Sequence, residues 1–232
     1  MSNPQVESFF ARLKKTNPQP ETELRYTNPF TLLVAVVLSA QATDKGVNKA
    51  TDTLFKLADT PARMAALGED GLVPYVKTIG LYRGKAKNII ALSKLLVERH
   101  GGAVPRDRDA LEALPGVGRK SANVVLNVAF GENTIAVDTH IFRVANRTGL
   151  APGKNPREVE DALMRIVPDA YLQHAHHWLI LHGRYTCTAR QPKCSVCVVR
   201  EECKFPDKTV PPPFKKQAKV GKMVSRARPR DS

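Results

Sequence analysis

The chain has 232 residues, of which 42% are hydrophobic and 25% charged, and this balance is typical of a folded globular protein rather than a disordered or fibrous one. Thirty-six Lys and Arg residues against 22 Asp and Glu give a formal net charge of +14, which indicates a polyanionic partner. The longest apolar run covers residues 32–38, far short of the ~20 residues of a membrane-spanning helix, and no secretory signal opens the chain. We therefore expect a soluble cytoplasmic protein with nucleic acid, and not a membrane, as its partner.

The apolar pattern is helical along most of the chain, and runs of alternating residues typical of strands are missing. The sequence therefore predicts an all-α fold. Asn28 and Thr43 are expected to cap two helices, Pro61 to open a short one, and Gly101 to end a long one. In chain order, the predicted helices cover about residues 29–40, 44–57, 61–68, 83–100, 107–113, 119–130, 139–148, 156–166 and 170–181.

A glycine turn, Leu114-Pro-Gly-Val-Gly118, precedes the predicted helix that begins at Arg119. Gly116 and Gly118 allow the backbone to adopt positive φ and to approach a ligand closely. The free N–H groups and the positive dipole end of the following helix favour an anion, which in a basic protein is most simply a DNA phosphate. The glycines alone fit a plain connection between two helices equally well.

Lys120 lies in the first turn of that helix, where the helix dipole opposes its positive charge. This position is unfavourable for a structural cation and suits a nucleophilic amine, although a solvated lysine that contacts phosphate is an alternative. Asp138 directly precedes the predicted helix 139–148 and suits an N-cap.

All four cysteines fall in one short segment, at Cys187, Cys194, Cys197 and Cys203. Disulfides are disfavoured in a reducing compartment, so this spacing indicates a single tetrathiolate metal site. Zinc and a [4Fe–4S] cluster both accept four cysteines, and the spacing alone does not separate them. Two cations lie within the loop and are candidate contacts to the DNA backbone, namely Arg190 and Lys193.

The composition changes from Lys204 onward, where five prolines interrupt nine Lys and Arg against two Asp. A segment that is basic and poor in apolar residues does not build a core. We therefore expect residues 206–232 to form a basic, disordered tail that binds DNA or a protein partner. The rest of the net positive charge lies in the folded part of the chain, so the tail alone does not account for the net charge of +14.

The segment from Leu114 to Val125, followed by Val137-Asp-Thr-His140, resembles the helix-hairpin-helix DNA glycosylases, and most closely the bacterial endonuclease III family. Residues 38–44 and 78–82 resemble segments of the same family, and the resemblance covers residues 1–205. It implies two lobes, a helical one of residues 23–135 with a helix-hairpin-helix at about 107–130, and one of residues 1–22 plus 136–205 with a C-terminal [4Fe–4S] cluster.

The resemblance further implies a bifunctional DNA glycosylase and AP lyase of base excision repair. Lys120 would be the nucleophile and Asp138 its partner carboxylate, and β-elimination from a Schiff base would cleave the strand 3′ to the lesion. Gln41 would fill the space left by a flipped base, Leu81 would wedge the opposite strand, and the hairpin with Arg119 would contact the backbone. The implied protein is a bacterial monomer, nucleoid-associated through DNA, that acts on double-stranded DNA with oxidised pyrimidines or abasic sites.

Three alternatives remain open from the sequence. An adenine mismatch glycosylase shares this fold and cluster, but it uses an early carboxylate instead of the lysine, and residues 32–41 contain no Asp or Glu. A non-catalytic helix-hairpin-helix module would explain the charge and the glycines without a role for Lys120 and Asp138. A zinc-folded adaptor would explain the cysteines.

Overall fold

The computed structural model describes residues 1–209, and this part of the chain contains helices and no β-strand, as the sequence predicts. No helix within these residues has the length and apolar character needed to cross a membrane. The helices are α1 (Asn3–Thr16), α2 (Pro29–Ser39), α3 (Asp44–Leu57), α4 (Pro61–Val76), α5 (Tyr82–His100), α6 (Arg108–Glu112), α7 (Arg119–Phe130), α8 (Thr139–Thr148), α9 (Pro156–Ile166) and α10 (Asp169–Tyr185), followed by a 3-10 turn at Cys194–Val196.

Local sequence signals set most helix ends. The side chain of Asn28 accepts a hydrogen bond of 2.9 Å from the backbone N–H of Thr31, and Pro29 stands in the first turn of α2. Thr43 caps α3 in the same way, by accepting a hydrogen bond of 3.2 Å from the N–H of Gly46. The predicted bounds of α2, α3, α7, α8 and α9 therefore agree with the structure to within about one residue.

Three helices differ from the prediction. α1 lies where the sequence pattern predicts no helix, and its start is fixed by a capping box between Ser2 and Gln5. α4 does not end at Gly68; this glycine adopts a φ of 64°, which interrupts the helical path, and the helix then resumes to Val76. α10 continues beyond Leu181, because its last turn still packs against α8 through Gly183.

Two hydrophobic cores divide the described chain into two lobes. The first lobe packs α2 to α7 around α2, which is buried along nearly its whole length. The second lobe packs α1, α8, α9 and α10 together with Cys187 and Val199 of the cysteine segment. The chain starts in the second lobe, builds the first, and returns at residues 135–137, whose side chains contribute to both cores.

The basic tail expected at residues 206–232 lies, from residue 210 onward, outside the described residues. Residues 206–209 are described, and they contact the cysteine segment. The hydroxyl of Thr209 accepts a hydrogen bond of 3.2 Å from the N–H of Cys194 and donates one of 2.6 Å to the carbonyl of Pro192. At Thr209, the expected tail is therefore still hydrogen-bonded to the cysteine segment of the second lobe.

Candidate active site

A cleft of about 800 Å³ lies between the two lobes, and both predicted catalytic residues line it. The first lobe contributes residues 39–44 and Lys120, and the second lobe contributes Asp138, His140 and Arg184. We call this the interlobe cleft. A molecule bound in it would contact both lobes at once.

Lys120 is the second residue of α7, and its side chain is exposed in the interlobe cleft. α7 begins after Gly118, and no side chain caps its first N–H groups, so these donors remain available to a ligand. The salt bridges of α7 within residues 1–209 are formed by Arg119 and not by Lys120. The amine of Lys120 therefore faces the cleft without an ionic partner in the described chain.

Asp138 is half-buried on the wall of the same cleft, at the N-terminus of α8. Its Oδ1 accepts a hydrogen bond of 2.8 Å from the backbone N–H of Ile141, as expected for an N-cap. The positive end of the α8 dipole stabilises the negative charge of the carboxylate. The carboxylate is thus held rigidly in the cleft by the start of a helix.

The two hairpin glycines have different conformations. Gly116 adopts a φ of 80°, and an added Cβ would lie 2.9 Å from Cβ and Nδ2 of Asn88. Gly118 has a φ of −101°, which is extended backbone, so the expectation of a positive φ is wrong for this residue. An added Cβ on Gly118 would meet no atom within 4 Å. Gly116 is therefore required by the fold, while Gly118 leaves open surface at the start of α7.

Arg119 joins the two lobes. Its Nε donates to both carboxylate oxygens of Glu160 at 3.1 Å, and its Nη2 donates to Oε1 at 2.7 Å. Glu160 belongs to α9 and is buried, and its hydrogen bond raises the pKa of Arg119 above the ordinary value. The guanidinium is engaged within the protein, and a contact between Arg119 and DNA stays a prediction.

Gln41 and Leu81 are the only non-glycine residues within 1–209 that have a positive φ, at 55° and 59°. This conformation is uncommon for side-chain-bearing residues and persists only where the surroundings hold it. Gln41 is exposed and lines the interlobe cleft, and Leu81 is 68% exposed. An apolar side chain that is held outward from a strained turn is well placed to insert into a partner.

Several groups near the cleft are not indicated by the sequence patterns. Lys85 is buried, and its Nζ donates a hydrogen bond of 3.0 Å to the carbonyl of Leu38. Arg184 of α10 forms a salt bridge of 2.5 Å with Asp44 of α3, which is a second link between the lobes. Burial, together with smaller contributions from neighbouring positive groups that include Lys120, lowers the pKa of His176 to about 3, so this histidine is neutral.

The four cysteines line a single cavity in the second lobe, together with Arg147, His182 and Phe205. All four are free thiols. Arg147 Nη1 lies 3.7 Å from Cys187 Sγ, and the backbone N–H of Phe205 donates to Cys203 Sγ at 3.4 Å. Four thiols around one cavity, with N–H donors beside the sulfurs, fit an iron–sulfur cluster.

Among residues 1–209, no three His, Cys, Asp or Glu side chains come close enough together to hold one metal ion directly, and the four thiols instead line a shared cavity. Arg190 and Lys193 are exposed on the loop between the first two cysteines. Their position is compatible with a contact to a polyanion, and that contact stays a prediction.

Comparison with known proteins identifies the family. A family model for HhH-GPD superfamily base excision DNA repair proteins matches residues 34–169, which include the glycine turn, Lys120 and Asp138. The chain belongs to this superfamily. A second family model, for the iron–sulfur binding domain of endonuclease III, matches residues 187–203, from the first cysteine to the last. The cofactor of this superfamily member is therefore the predicted [4Fe–4S] cluster, and zinc is not supported.

Curated and solved relatives of this superfamily member carry the name endonuclease III, which confirms the resemblance read from the sequence. Endonuclease III of Escherichia coli K12 is 60% identical over 200 residues, which are 86% of this chain and 95% of that protein. A trapped covalent endonuclease III–DNA intermediate matches with a TM-score of 0.83 and 45% identity over 88% of this chain and 96% of the other. A non-covalent endonuclease III–DNA complex matches with a TM-score of 0.83 and 44% identity over 88% of this chain and 96% of the other.

Proposed function

We propose that the chain is a bifunctional DNA glycosylase and AP lyase of base excision repair, with Lys120 as its nucleophile. One observation carries the assignment of roles: Lys120 of the first lobe and Asp138 of the second line the same cleft. Membership of the superfamily and the relatives named endonuclease III support the same reaction class. The chain binds DNA, and we further propose that it acts as a monomer on oxidised pyrimidines and abasic sites.

Binding and base flipping involve both lobes. The uncapped N–H groups that follow Gly118 bind a phosphate at the start of α7. The damaged nucleotide leaves the base stack and enters the interlobe cleft, at a cost of a few kcal/mol that is least for a poorly paired base. Gln41 fills the space that the base vacates, and Leu81 enters the duplex as an apolar wedge. These contacts hold the duplex open while the sugar lies beside Lys120.

The chemistry begins when the unprotonated amine of Lys120 attacks C1′ of the flipped nucleotide. The N-glycosidic bond breaks, the base leaves with the bonding electrons, and it is then protonated. Asp138 stabilises the positive charge that develops on the sugar and accepts the proton that the amine loses. The C1′–O4′ bond then breaks, O4′ takes the proton that Asp138 accepted, and a protonated Schiff base remains between Lys120 and C1′.

Strand cleavage follows from the Schiff base. A proton is removed from C2′, the C3′–O bond breaks, and the phosphate on the 3′ side of the lesion leaves. Hydrolysis of the imine then frees Lys120.

The cluster that the four cysteines would hold supplies folding free energy to its segment, and the exposed Arg190 and Lys193 of that segment contact phosphates.

Borohydride trapping on duplex DNA with a single abasic site tests the proposal. We expect a covalent complex from the cluster-loaded wild type and from Lys94→Ala, whose side chain is exposed on α5. Lys120→Ala should bind the duplex in a gel-shift assay and give no covalent complex. If the wild type binds the duplex and traps nothing, the lyase assignment is wrong, and a glycosylase that uses water as its nucleophile or a non-catalytic DNA-binding module remains.

A further inference from the structure

Lys85 is a buried lysine of the first lobe that the reaction itself does not use. The residue is 6% exposed, and its Nζ donates a hydrogen bond of 3.0 Å to the carbonyl of Leu38. Burial lowers its pKa below the ordinary value, and no salt bridge within residues 1–209 includes it. A buried cation without an acidic partner is costly, so its position needs a physical reason.

The reason lies in the end of α2. The last four carbonyls of a helix lack partners within the helix, and the negative end of the dipole favours a cation there. α2 has no basic residue in its own last turn. Lys85 of α5 supplies that cation, and it binds the carbonyl three residues before Gln41.

Lys85 also lies close to the second strained turn. The backbone N–H of Lys85 donates a hydrogen bond of 3.1 Å to the carbonyl of Leu81. The two turns are neighbours, since an added Cβ on Gly80 would lie 4.0 Å from the carbonyl oxygen of Gln41. That backbone bond is the first helical hydrogen bond of α5 and would form with any residue at this position. The side chain of Lys85 therefore acts on the Gln41 turn directly, and on the Leu81 turn only through the contact between the two turns.

We propose that Lys85 is a positioning residue whose ammonium group holds the Gln41 turn, and through it the neighbouring Leu81 turn, in the conformation that opens the duplex. This inference rests on the proposed function. Lys85 contacts neither DNA nor the reacting atoms, because it is buried beneath the two turns. Without its ammonium group, the Gln41 turn relaxes from the left-handed conformation and base flipping becomes less favourable. The attack by Lys120 is unchanged once the nucleotide is flipped.

The experiment compares one lesion in two settings with the full-length, cluster-loaded enzyme. The first duplex has 5,6-dihydrothymine paired with adenine, and the second has the same nucleotide in a single-nucleotide bulge, where flipping costs least. The variants are Lys85→Met, which removes the donor and the charge, and Lys85→Gln, which retains a donor. Lys94→Met, on the exposed face of the same helix, is the matched control.

We expect Lys85→Met to lower kcat/KM on the paired lesion on the order of tenfold, and to lower it on the bulged lesion by less than about twofold. Lys85→Gln should also favour the bulged lesion, with a smaller loss of kcat/KM on the paired lesion. If thermal unfolding shows that Lys85→Met does not fold, the result for Lys85→Gln alone tests the inference. Lys94→Met should match the wild type on both duplexes. 2-Aminopurine placed next to the lesion should show reduced unstacking in both Lys85 variants.

Equal losses on the paired and bulged lesions, or no loss on either, would overturn the inference, because both outcomes disconnect Lys85 from flipping. Failure of the wild type to trap an abasic site is a separate result that contradicts the proposed function itself. If the wild type is active and the Lys85 variants lose the same activity on both duplexes, the proposed function stands and only the role of Lys85 is contradicted.

Discussion

The carboxylate of Asp138 accepts a hydrogen bond of 2.8 Å from the backbone N–H of Ile141, so the residue that begins α8 also borders the interlobe cleft. A capping role and a catalytic role are therefore combined in one side chain. The two roles require different properties. Capping needs an acceptor oxygen of the right geometry, whereas the stabilisation of a cationic sugar needs a negative charge.

Substitution of Asp138 separates the two roles. Because asparagine is an N-cap of similar strength, Asp138→Asn should change the free energy of unfolding by less than ~0.5 kcal/mol. Turnover should nevertheless fall by about 10²- to 10⁴-fold, because the charge is lost. Asp138→Ala should lose both, with ~1 kcal/mol of stability removed. Urea unfolding and single-turnover rates measure these effects, and an active Asn variant would reduce Asp138 to a capping residue.

Alanine substitutions of the two hairpin glycines separate the structural role of the glycine turn from its role in DNA binding. Gly116→Ala should lower the free energy of unfolding by about 1–3 kcal/mol, because alanine disfavours positive φ and its Cβ would press against Asn88. Gly118→Ala should change it by less than ~1 kcal/mol, since its φ is negative and the space is open. Gly118→Ala should instead weaken DNA binding in a titration. If the two variants were equally stable, neither the positive φ of Gly116 nor the space beside Asn88 would restrict the residue at position 116.

Local rules were sufficient wherever a cap occurred together with a clear apolar pattern, which is one-sided in α3 and α8 and continuous in α2. They also placed Lys120 and Asp138 at helix starts that turn and capping residues mark, whereas the catalytic role of Asp138 came from the family resemblance and stays a prediction. The same rules failed at Gly68. A glycine with a positive φ is typical of a helix end, and Gly68 has that φ, but the chain resumes its helix so that Leu72 and Val76 can enter the first core.

Contacts between distant residues explain the features that the sequence does not reveal. Lys85 shares the buried face of α5 with Ile89 and Leu96. Its spacing from these apolar residues indicates a buried lysine, but the spacing does not identify the carbonyl that the lysine binds. Arg119 follows a glycine turn, which favours a DNA contact, but its guanidinium is held by Glu160, 41 positions further along the chain. Neither partner could be found without knowing how the lobes and helices pack.

Two buried histidines of α10 make stability depend on pH. Burial lowers the pKa of His176 to about 3 and that of His177 to about 4, whereas both titrate near 6.5 in an unfolded chain. Between about pH 6.5 and pH 4, the unfolded chain therefore binds more protons at these histidines than the folded chain does. The contribution of these histidines to the free energy of unfolding is complete above about pH 6.5 and is lost as the pH falls toward 4.

His177→Gln should consequently weaken the dependence of stability on pH. We expect its unfolding free energy to fall less than that of the wild type between about pH 7 and pH 5, by on the order of 1–2 kcal/mol. His100→Gln, at the end of α5, is the control and should follow the wild-type curve. Chemical unfolding at several pH values measures the slopes, and parallel curves for the two variants would mean that folding does not change the pKa of His177.

Residues 210–232 carry seven Lys and Arg against one Asp and lie outside the described residues. If they contact phosphates, each contact contributes about 0.9 to the slope of log affinity against log salt. Deletion after Thr209 should therefore lower that slope and weaken binding mainly at low salt, while single-turnover rates at saturating enzyme stay unchanged because Lys120 and Asp138 remain. The deletion must keep Thr209, whose hydroxyl binds the backbone of Pro192 and Cys194 in the cluster loop. An unchanged slope in the truncated protein would show that the tail does not contact DNA phosphates.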